Sequence, residues 1–390
     1  MVYTNIIKQS TFVLLLSFLL LACDSEVRIS DSEQSSEFDW GLPSGVYAPR
    51  VPASNPISDA KVELGRHLFY DKRLSGNQTQ SCASCHEQDK AFSDGRARGK
   101  GSTDELHLRS PQQLSNVGYY TAYTWANSAL FTLEDQMNGP LMGNHPVEMG
   151  INDENRDEIM TRFSSNPFYD ELFQKAFNDV ENPYQVFYVT QAIASFERTL
   201  NSFDSPYDRY ERGDKSALSA AQIRGKNLFF SEKAECFHCH SGEHFSDSTA
   251  NEKSFFINSF FHNTGLYNIA GSGEFPTGNR GIYELSGKTK DMGKFRASIL
   301  KNIEVTAPFM HDGSLETLRD VVDFYAEGGR NIEEGEFIGD GRENPNLSPL
   351  VARIDLNEQE REDLVAFLES LTDESFLTSE KISDPFKDTE

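Results

Sequence analysis

The chain has 390 residues, with 36 basic and 61 acidic side chains, and its formal net charge is −25 at pH 7. A surface this acidic repels phosphate backbones, which argues against nucleic acid as a partner, whereas a basic protein would be attracted. The length predicts two domains, because domains run about 100–200 residues each.

The first residues predict an export signal. Lys8 precedes the apolar run T-F-V-L-L-L-S-F-L-L-L-A, which ends just before Cys23. The run is shorter than the ~20 residues of a transmembrane helix and has the layout of a secretory signal. L-L-A-C is similar to a bacterial lipoprotein cleavage site, so residues 1–22 are interpreted as a lipoprotein-type signal peptide and Cys23 as the lipidated residue, with plain secretion as the alternative. This predicts a periplasmic or cell-envelope protein of a Gram-negative bacterium, held by a lipid anchor. The polar residues 23–45 then form a flexible tether.

The four cysteines after Cys23 form two copies of one motif, C-A-S-C-H at residues 82–86 and C-F-H-C-H at residues 236–240. C-x-x-C-H is the attachment signature of c-type haem: the cysteines form thioethers, and the histidine is the proximal iron ligand. Two copies that use every remaining cysteine of an exported chain favour haem over a zinc site or a thioredoxin-like pair. The predicted haem-binding residues are Cys82, Cys85, His86, Cys236, Cys239 and His240. The neighbouring His238 and His244 are interpreted as bystanders.

A repeated stretch precedes each haem motif. G-R-H-L-F-Y occupies residues 65–70 and G-K-N-L-F-F occupies residues 225–230, and each reads as an amphipathic helix. We therefore predict a mainly α fold, with two cytochrome c-like haem domains and long loops. The domains span residues 46–205 and 206–372, and residues 373–390 form an acidic tail.

Two helix starts can also be read from the sequence. Ser219 with Gln222 and Asn357 with Glu360 have the spacing of capping boxes. After the second box, apolar residues recur at helical spacing as far as Leu371, so a helix is expected to close the fold.

Further motifs occur in a fixed order along the chain: S-C-A-S-C-H-E-Q-D-K-A-F-S-D-G at 81–95, S-P-Q-Q-L-S-N at 110–116, L-E-D-Q-M-N-G-P-L at 133–141, P-V-E-M-G at 146–150 and K-N-I-E-V-T-A-P-F-M-H-D-G-S at 301–314. Together they resemble the bacterial diheme cytochrome c peroxidases and their MauG-like relatives, over most of residues 46–372. The resemblance implies reduction of hydrogen peroxide at the N-terminal haem. Electrons would be relayed through the C-terminal haem from a cytochrome c, a cupredoxin or a protein substrate. The alternative is a non-catalytic diheme electron carrier.

The resemblance also implies roles for individual residues. His86 is then the proximal ligand of the reactive iron, and Glu148 is the distal general acid/base, which fits the proton movement that O–O cleavage needs. Gln136 and Pro140 match other positions of the same pocket, although W-A-N-S replaces the usual W-D-G-R after Trp125 and three extra residues precede Glu148. Trp125 matches an indole that lies between the two haems.

The second haem shows a departure that separates two branches of the family. The peroxidases supply a methionine fourteen residues after the histidine of H-D-G, but here His311 is followed at that distance by Tyr325, as in MauG-like members. A phenolate is an anionic ligand that stabilises oxidised iron, whereas methionine raises the reduction potential. Met310 and Met292 remain alternative ligands.

Other points stay open. Thr306 and Pro308 match backbone-carbonyl ligands of a calcium ion in the family, but Arg109 or Ser110 stands at the asparagine position, and a cation beside Arg109 is disfavoured. His107 lies in the loop whose histidine closes the reactive iron in some members, so that iron is either closed by His107 or vacant. His67, His145 and His262 are interpreted as structural or surface residues, and the family leaves a homodimer open.

Overall fold

The computed structural model describes residues 38–387, and this part of the chain is mainly helical, in agreement with the predicted class. Short 3₁₀ turns and long loops connect the helices. The α-helices of the described residues are α1 (Asp59–Tyr70), α2 (Leu133–Met142), α3 (Arg156–Ser164), α4 (Pro167–Ala176), α5 (Val186–Glu197), α6 (Pro206–Glu211), α7 (Ala220–Phe229), α8 (Tyr283–Ser286), α9 (Leu318–Ala326), α10 (Glu358–Glu369) and α11 (Glu374–Leu377). Two short strands, β1 (Asn331–Ile332) and β2 (Gly339–Asp340), pair antiparallel with Asn331 opposite Asp340.

The first hydrophobic core is built around the contact between α1 and α5. Ser58 caps the first turn of α1, and Leu64 and Leu68 lie on its buried face at helical spacing. Gly65 faces α5 so closely that a Cβ there would lie 2.0 Å from the carbonyl oxygen of Ala192. The glycine of the first repeated stretch therefore permits the close crossing of two helices.

The second hydrophobic core repeats this arrangement with α7 and α10. A Cβ on Gly225 of α7 would lie 1.8 Å from the carbonyl oxygen of Asp363 in α10. Both predicted capping boxes are present at the starts of these helices, and Leu364, Phe367 and Leu371 are buried, which confirms the helix predicted to close the fold. Each repeated stretch thus supplies the glycine of a close helix crossing, and each stretch precedes a C-x-x-C-H motif.

The chain from Phe38 onward forms one compact unit. Its first core takes most of its residues from α1 to α5 and its second core from α7, α9 and α10. A division into two haem domains between residues 205 and 206 stays a prediction.

The segment predicted as an acidic tail has a fixed place in the described structure. Helix α11 buries Phe376 and Leu377 in the first core, and Ile382 is buried there as well. The ring of Phe376 lies edge-on to that of Phe92, with centroids 5.8 Å apart. Residues 373–387 are therefore not a free tail, because apolar side chains placed among the acidic ones anchor the segment to the core.

The export features predicted at the N-terminus fall outside this structure. The signal peptide at residues 1–22, the lipidation site Cys23 and most of the tether lie among residues 1–37, which are outside the described residues. Between residues 38 and 387, no helix is both long and apolar enough to cross a bilayer.

Candidate active site

Each C-x-x-C-H motif lies on a short 3₁₀ turn, Cys82–Ser84 in the first copy and Cys236–His238 in the second. The four cysteines form no disulfide, and all are half-buried. Each pair lines an open cavity together with the histidine that follows it. The thiols and the imidazole of each motif therefore face one space, as haem attachment requires.

Both proximal histidines are oriented by a phenylalanine carbonyl. His86 Nδ1 lies 2.7 Å from the Phe92 oxygen, and His240 Nδ1 lies 2.9 Å from the Phe245 oxygen. A carbonyl oxygen can only accept, so Nδ1 carries the proton and Nε2 is left free as an iron ligand. Burial lowers the pKa of both imidazoles, which keeps them neutral. Sequence reasoning missed these carbonyls, because the two phenylalanines stand at different spacings, six and five residues after the histidine.

The first cavity brings together the residues predicted for peroxide chemistry. Its lining includes Cys82, Cys85, His86, His107, Trp125, Gln136, Pro140 and Glu148. Gln136 and Pro140 are supplied by α2, and the Pro140 carbonyl accepts a hydrogen bond from the Met149 amide at 3.0 Å, which holds the segment that carries Glu148. Residues far apart in sequence therefore share one cavity with the first haem motif.

Glu148 has an environment suited to proton transfer. Burial raises the pKa of its carboxyl group to about 7. Its side chain is 36% exposed where it lines the cavity, and its Oε1 lies 3.5 Å from His107 Nε2. A carboxyl group whose pKa is near neutrality can both accept and donate a proton at ordinary pH.

The second cavity contains the predicted distal ligand of the second haem. Tyr325 of α9 lines it together with the Cys236–His240 motif, and Met310 also lines it. Met292 is buried in a cluster of apolar side chains against which Tyr325 and Met310 pack, but it is not part of the lining. Of the three candidate ligands, Tyr325 and Met310 thus have access to the cavity.

Tyr325 is held as a neutral phenol by the protein alone. Burial raises the pKa of its hydroxyl well above the ordinary value, and the nearby Cys239 and Cys236 raise it further. A bound cation reverses this effect, because it stabilises the phenolate directly. The position fits a ligand that ionises only when iron is present.

Trp125 lines both cavities. Its indole Nε1 donates a 2.8 Å hydrogen bond to the Ser110 carbonyl, and its own carbonyl accepts from the Arg296 amide at 2.9 Å. Its ring lies 6.5 Å from that of His311, edge-on. The indole is therefore fixed in the wall that the two cavities share.

Some of the remaining predicted residues line a cavity and others do not. Thr306 and Pro308 line the second cavity. The Arg109 guanidinium is paired with Glu284 at 2.8 Å, so its charge is already balanced. His238 is exposed.

His244 and His311 are both buried. His244 stacks near Tyr119, with centroids 4.0 Å apart, and does not line either cavity. His311 stacks on Phe295 at 3.7 Å and lines the second cavity.

Three further groups at the cavities could not be recognised from sequence. The buried carboxyl group of Glu197 lines the first cavity, and burial raises its pKa to about 8. His262 Nε2 lies 2.6 Å from Asp247 in the wall of the second cavity, beside Cys239. Arg296 is buried and lines both cavities. No local motif surrounds these residues, so only their spatial position reveals them.

The residues present fit two haem groups. Besides the thiols and free imidazole nitrogens, Arg296 Nη1 is buried without a partner among the described residues. A haem propionate is an anion that would pair with it. Much of the second cavity is lined by apolar side chains, such as Phe229, Ile299 and Leu318, which suit a porphyrin face. The first haem would be held by Cys82, Cys85 and His86, and the second by Cys236, Cys239 and His240.

Comparison with known proteins leads to the same chemistry. The family model described as di-haem cytochrome c peroxidase matches residues 59–216. The methylamine utilization protein MauG of Methylorubrum extorquens is 36% identical over 324 residues, which cover 82% of this chain and 80% of MauG. The chain belongs to the di-haem cytochrome c peroxidase family. It is therefore an oxidoreductase that acts on peroxide, and membership implies two haem c groups.

Two further similar proteins are a cytochrome-c peroxidase and a MauG-like protein. Cytochrome-c peroxidase IdrP1 of Pseudomonas sp. is 34% identical over 336 residues, which cover 83% of each protein. A crystal structure of a MauG-like protein associated with microbial copper homeostasis matches with a TM-score of 0.88 and 47% identity, over 90% of this chain and 100% of that one. The predicted family is confirmed, and the alternative of a non-catalytic electron carrier is not supported.

Proposed function

We propose that this family member is a MauG-like peroxidase whose second haem has His240 and Tyr325 as axial ligands. Hydrogen peroxide is reduced in the first cavity, and a protein partner supplies the electrons at the second. The observation that carries the proposal is the pair of cavities, one containing Glu148 and the other Tyr325, with Trp125 in the wall of both.

The chain's own residues handle the protons. Reduction of hydrogen peroxide to two waters consumes two electrons and two protons. When bound, the haems supply iron that takes up and stores the oxidising equivalents. Glu148 accepts the proton of one peroxide oxygen and delivers it to the other, which leaves as water. Gln136, on the same cavity wall, is placed to orient the peroxide.

Tyr325 supports the MauG-like branch over the branch with a methionine ligand. An anionic oxygen ligand stabilises oxidised iron, so the second haem would hold an oxidising equivalent until a partner arrives. Trp125 shortens the electron path between the cavities, because it is an oxidisable ring that lines both. A long-lived oxidised state suits attack on tyrosine or tryptophan side chains of a protein substrate.

An exposed segment that follows the second haem motif in the chain supports the binding of a protein partner. Phe255 and Phe256 are 96% and 86% exposed. The end of this segment is fixed, because the Phe260 amide donates a 2.8 Å hydrogen bond to Ser248 Oγ. The preceding Asp247 donates its amide proton to the Cys239 carbonyl at 2.9 Å. The chain between Asp247, which is hydrogen-bonded to the second haem motif, and Phe260 therefore exposes two phenyl rings to solvent.

The charge of the molecule indicates which partner this surface takes. With a net charge of −25, the chain attracts a basic protein and repels an acidic one. A cytochrome c or cupredoxin donor and a basic protein substrate both meet this condition. The chain is similar to a MauG-like protein associated with microbial copper homeostasis. This similarity favours a protein substrate that takes part in copper homeostasis.

The location and the remaining ligands complete the proposal. The signal at residues 1–22 and Cys23 support a lipid-anchored protein of the cell envelope. Calcium at the Thr306 and Pro308 carbonyls and a homodimer stay predictions, carried by the family resemblance alone.

The ligand of the second haem can be tested by absorption spectra of the purified di-haem protein. We expect the resting wild-type spectrum to lack the long-wavelength band of a methionine-ligated haem, and one equivalent of peroxide to give a long-lived oxidised state. Tyr325→His should keep both haems attached but abolish that state, because the phenolate is lost. The matched control is Met310→Leu, since Met310 lines the same cavity.

The two variants separate the branches of the family. If Met310→Leu removes a methionine band that the wild type shows, or if Tyr325→His leaves both the spectrum and the oxidised state intact, the His/Tyr assignment is wrong. A wild-type protein that does not consume peroxide would contradict the function as a whole.

A further inference from the structure

His107 and Glu148 form a pair in the first cavity. His107 Nε2 lies 3.5 Å from Glu148 Oε1, slightly longer than a hydrogen bond. Both side chains line the cavity that contains Cys82, Cys85 and His86. Contacts of this kind often shorten when the substrate binds.

The loop that carries His107 is fastened to the segment that carries Glu148. The Ser102 amide donates a 2.9 Å hydrogen bond to the Glu148 carbonyl. A Cβ on Gly101 would lie 1.9 Å from the Val147 oxygen, so only glycine permits the approach of the two backbones. The pairing of His107 with Glu148 is therefore built into the backbone and does not depend on the two side chains alone.

The other side of His107 is also fixed. Its amide donates to the Gly99 carbonyl at 2.8 Å, and the Arg98 guanidinium donates to its carbonyl. The charged groups that act on the imidazole are Glu105 of the same loop and Arg98, and the Glu148 carboxyl group lies 3.5 Å away. The side chains of His107 and Glu148 are 23% and 36% exposed, so solvent can reach both.

We propose that His107 is a positioning residue that orients Glu148 and exchanges protons between its carboxyl group and solvent. This inference rests on the proposed function, because it assigns to His107 a share in the proton handling of the same cavity. It differs from the iron-ligand role that the family resemblance left open, since here the imidazole is paired with the carboxylate.

The proton count shows what such a residue contributes. Glu148 can move one proton of peroxide from one oxygen to the other as the O–O bond breaks, and one water leaves. Release of the second oxygen as water requires two more protons and two electrons. The protein donor supplies the electrons, and the protons come from solvent. The imidazole of His107, 3.5 Å from the Glu148 carboxyl group, is a second exchangeable group through which they can pass.

The test compares His107→Ala, His107→Gln and Glu148→Gln with the double variant His107→Ala/Glu148→Gln, all as di-haem proteins. The control is His145→Ala, an exposed histidine near Glu148 in sequence. Infrared difference spectra measure the pH at which the Glu148 carboxyl group ionises. Peroxide kinetics give kcat and KM separately, and the ferric spectrum reports a change of iron ligand.

We expect His107→Ala and His107→Gln to lower kcat about tenfold with little change in KM, because proton delivery slows while peroxide still binds. His107→Ala should also shift the ionisation midpoint of Glu148, because the imidazole lies 3.5 Å from its carboxyl group. The double variant should be no slower than Glu148→Gln, because His107 acts through Glu148. The ferric spectrum should be the same in all variants.

Several outcomes would overturn the proposal. A ferric spectrum altered by His107→Ala would make the residue an iron ligand, and additive rate losses in the double variant would make it independent of Glu148. If the Glu148 ionisation midpoint and the rate of His107→Ala equal those of the wild type, His107 has no role in the reaction. The infrared midpoint does not depend on turnover, so a wild type without peroxidase activity would contradict the proposed function but not the pairing.

Discussion

Glu148 shows how the position of one side chain determines the chemistry that it can perform. In an acidic protein most carboxyl groups are ionised at neutral pH and cannot donate a proton. Burial against the first cavity raises the pKa of Glu148 to about 7, so both protonation states are available there. The neighbouring Glu197, with its pKa raised to about 8 by burial, shows that this part of the protein disfavours negative charge generally.

Replacing Glu148 with glutamine should lower peroxide turnover by on the order of 10²–10⁴ while the haem content stays the same. The wild-type kcat/KM should rise as pH increases through about 7, because the carboxylate is the form that accepts the proton of peroxide. This rise should be absent in the variant. Stopped-flow kinetics from pH 5 to 9 would check both, with the exposed Glu154→Gln as control. Full activity in Glu148→Gln would show that another group moves the proton.

The sign of the stability effect follows from the same pKa. The folded-state pKa of Glu148 lies above its ordinary value of 4.5, so the folded protein holds the proton more tightly than the unfolded chain. Ionisation of Glu148 therefore destabilises the fold as pH rises from about 4.5 through about 7. Glu148→Gln should accordingly unfold at a higher denaturant concentration than the wild type at pH 8, and the difference should vanish at pH 4.

At the scale of elements, helices provide the frame and loops carry most of the chemistry. The pairs α1/α5 and α7/α10 cross closely at Gly65 and Gly225, and the first helix of each pair precedes one haem motif in the chain. Among the predicted residues, Gln136 and Tyr325 lie on helices, whereas Glu148, Trp125 and both haem motifs lie on loops or 3₁₀ turns. Packed helices supply a rigid frame, and loops can bring residues distant in sequence to one cavity.

The exposed segment 254–261 is the element expected to meet a protein partner. Replacing Phe255 and Phe256 together with serine should lower kcat/KM for oxidation of a reduced, basic c-type cytochrome about tenfold, since aromatic side chains contribute strongly to protein interfaces. Turnover of a small-molecule donor should be unchanged. The matched control is Phe187→Ser, another exposed phenylalanine, which lies in the first turn of α5.

Two results would count against this docking surface. An unchanged rate with the cytochrome would show that the partner binds elsewhere. Loss of binding to zwitterionic lipid vesicles, without any effect on the cytochrome, would show that Phe255 and Phe256 contact a membrane.

Two properties belong to the whole molecule: its net charge and the packing of its C-terminal residues. The full chain has a net charge of −25, and one compact unit contains both cavities, so a charged partner experiences the field of the entire protein. The C-terminal residues are part of this unit. Phe376 and Ile382 are buried in the first core, although in sequence they follow the residues of the second core.

The rate with a basic cytochrome should fall as salt is added. Screening shortens from about 30 Å at 0.01 M to about 10 Å at 0.1 M ionic strength, which removes long-range attraction. Stopped-flow measurements over this range should show the loss in the second-order rate constant, and an acidic cytochrome should show the opposite trend. Equal rates at both salt concentrations would mean that the net charge does not guide the partner.

The sequence by itself determined the features that depend on short stretches of chain. Cys82, Cys85 and His86 are close enough to bind one haem in any fold, because their spacing alone brings the three side chains together. The capping boxes of α7 and α10 are local in the same sense, since a side chain and an amide three residues away form each hydrogen bond. The order of the motifs indicated the family, and the family indicated the peroxide chemistry.

Only the tertiary structure decided how distant residues meet. Trp125 lines both cavities, His107 lies next to Glu148, and Phe92 and Phe245 orient the two proximal histidines. None of these relations follows from sequence spacing, because they depend on loops that cross a packed core. The exposure of Phe255 and Phe256 likewise depends on the fold, which leaves both rings in solvent. Local hydrogen bonds and covalent spacing are encoded in neighbouring residues, whereas contacts across the molecule are set by how its helices pack.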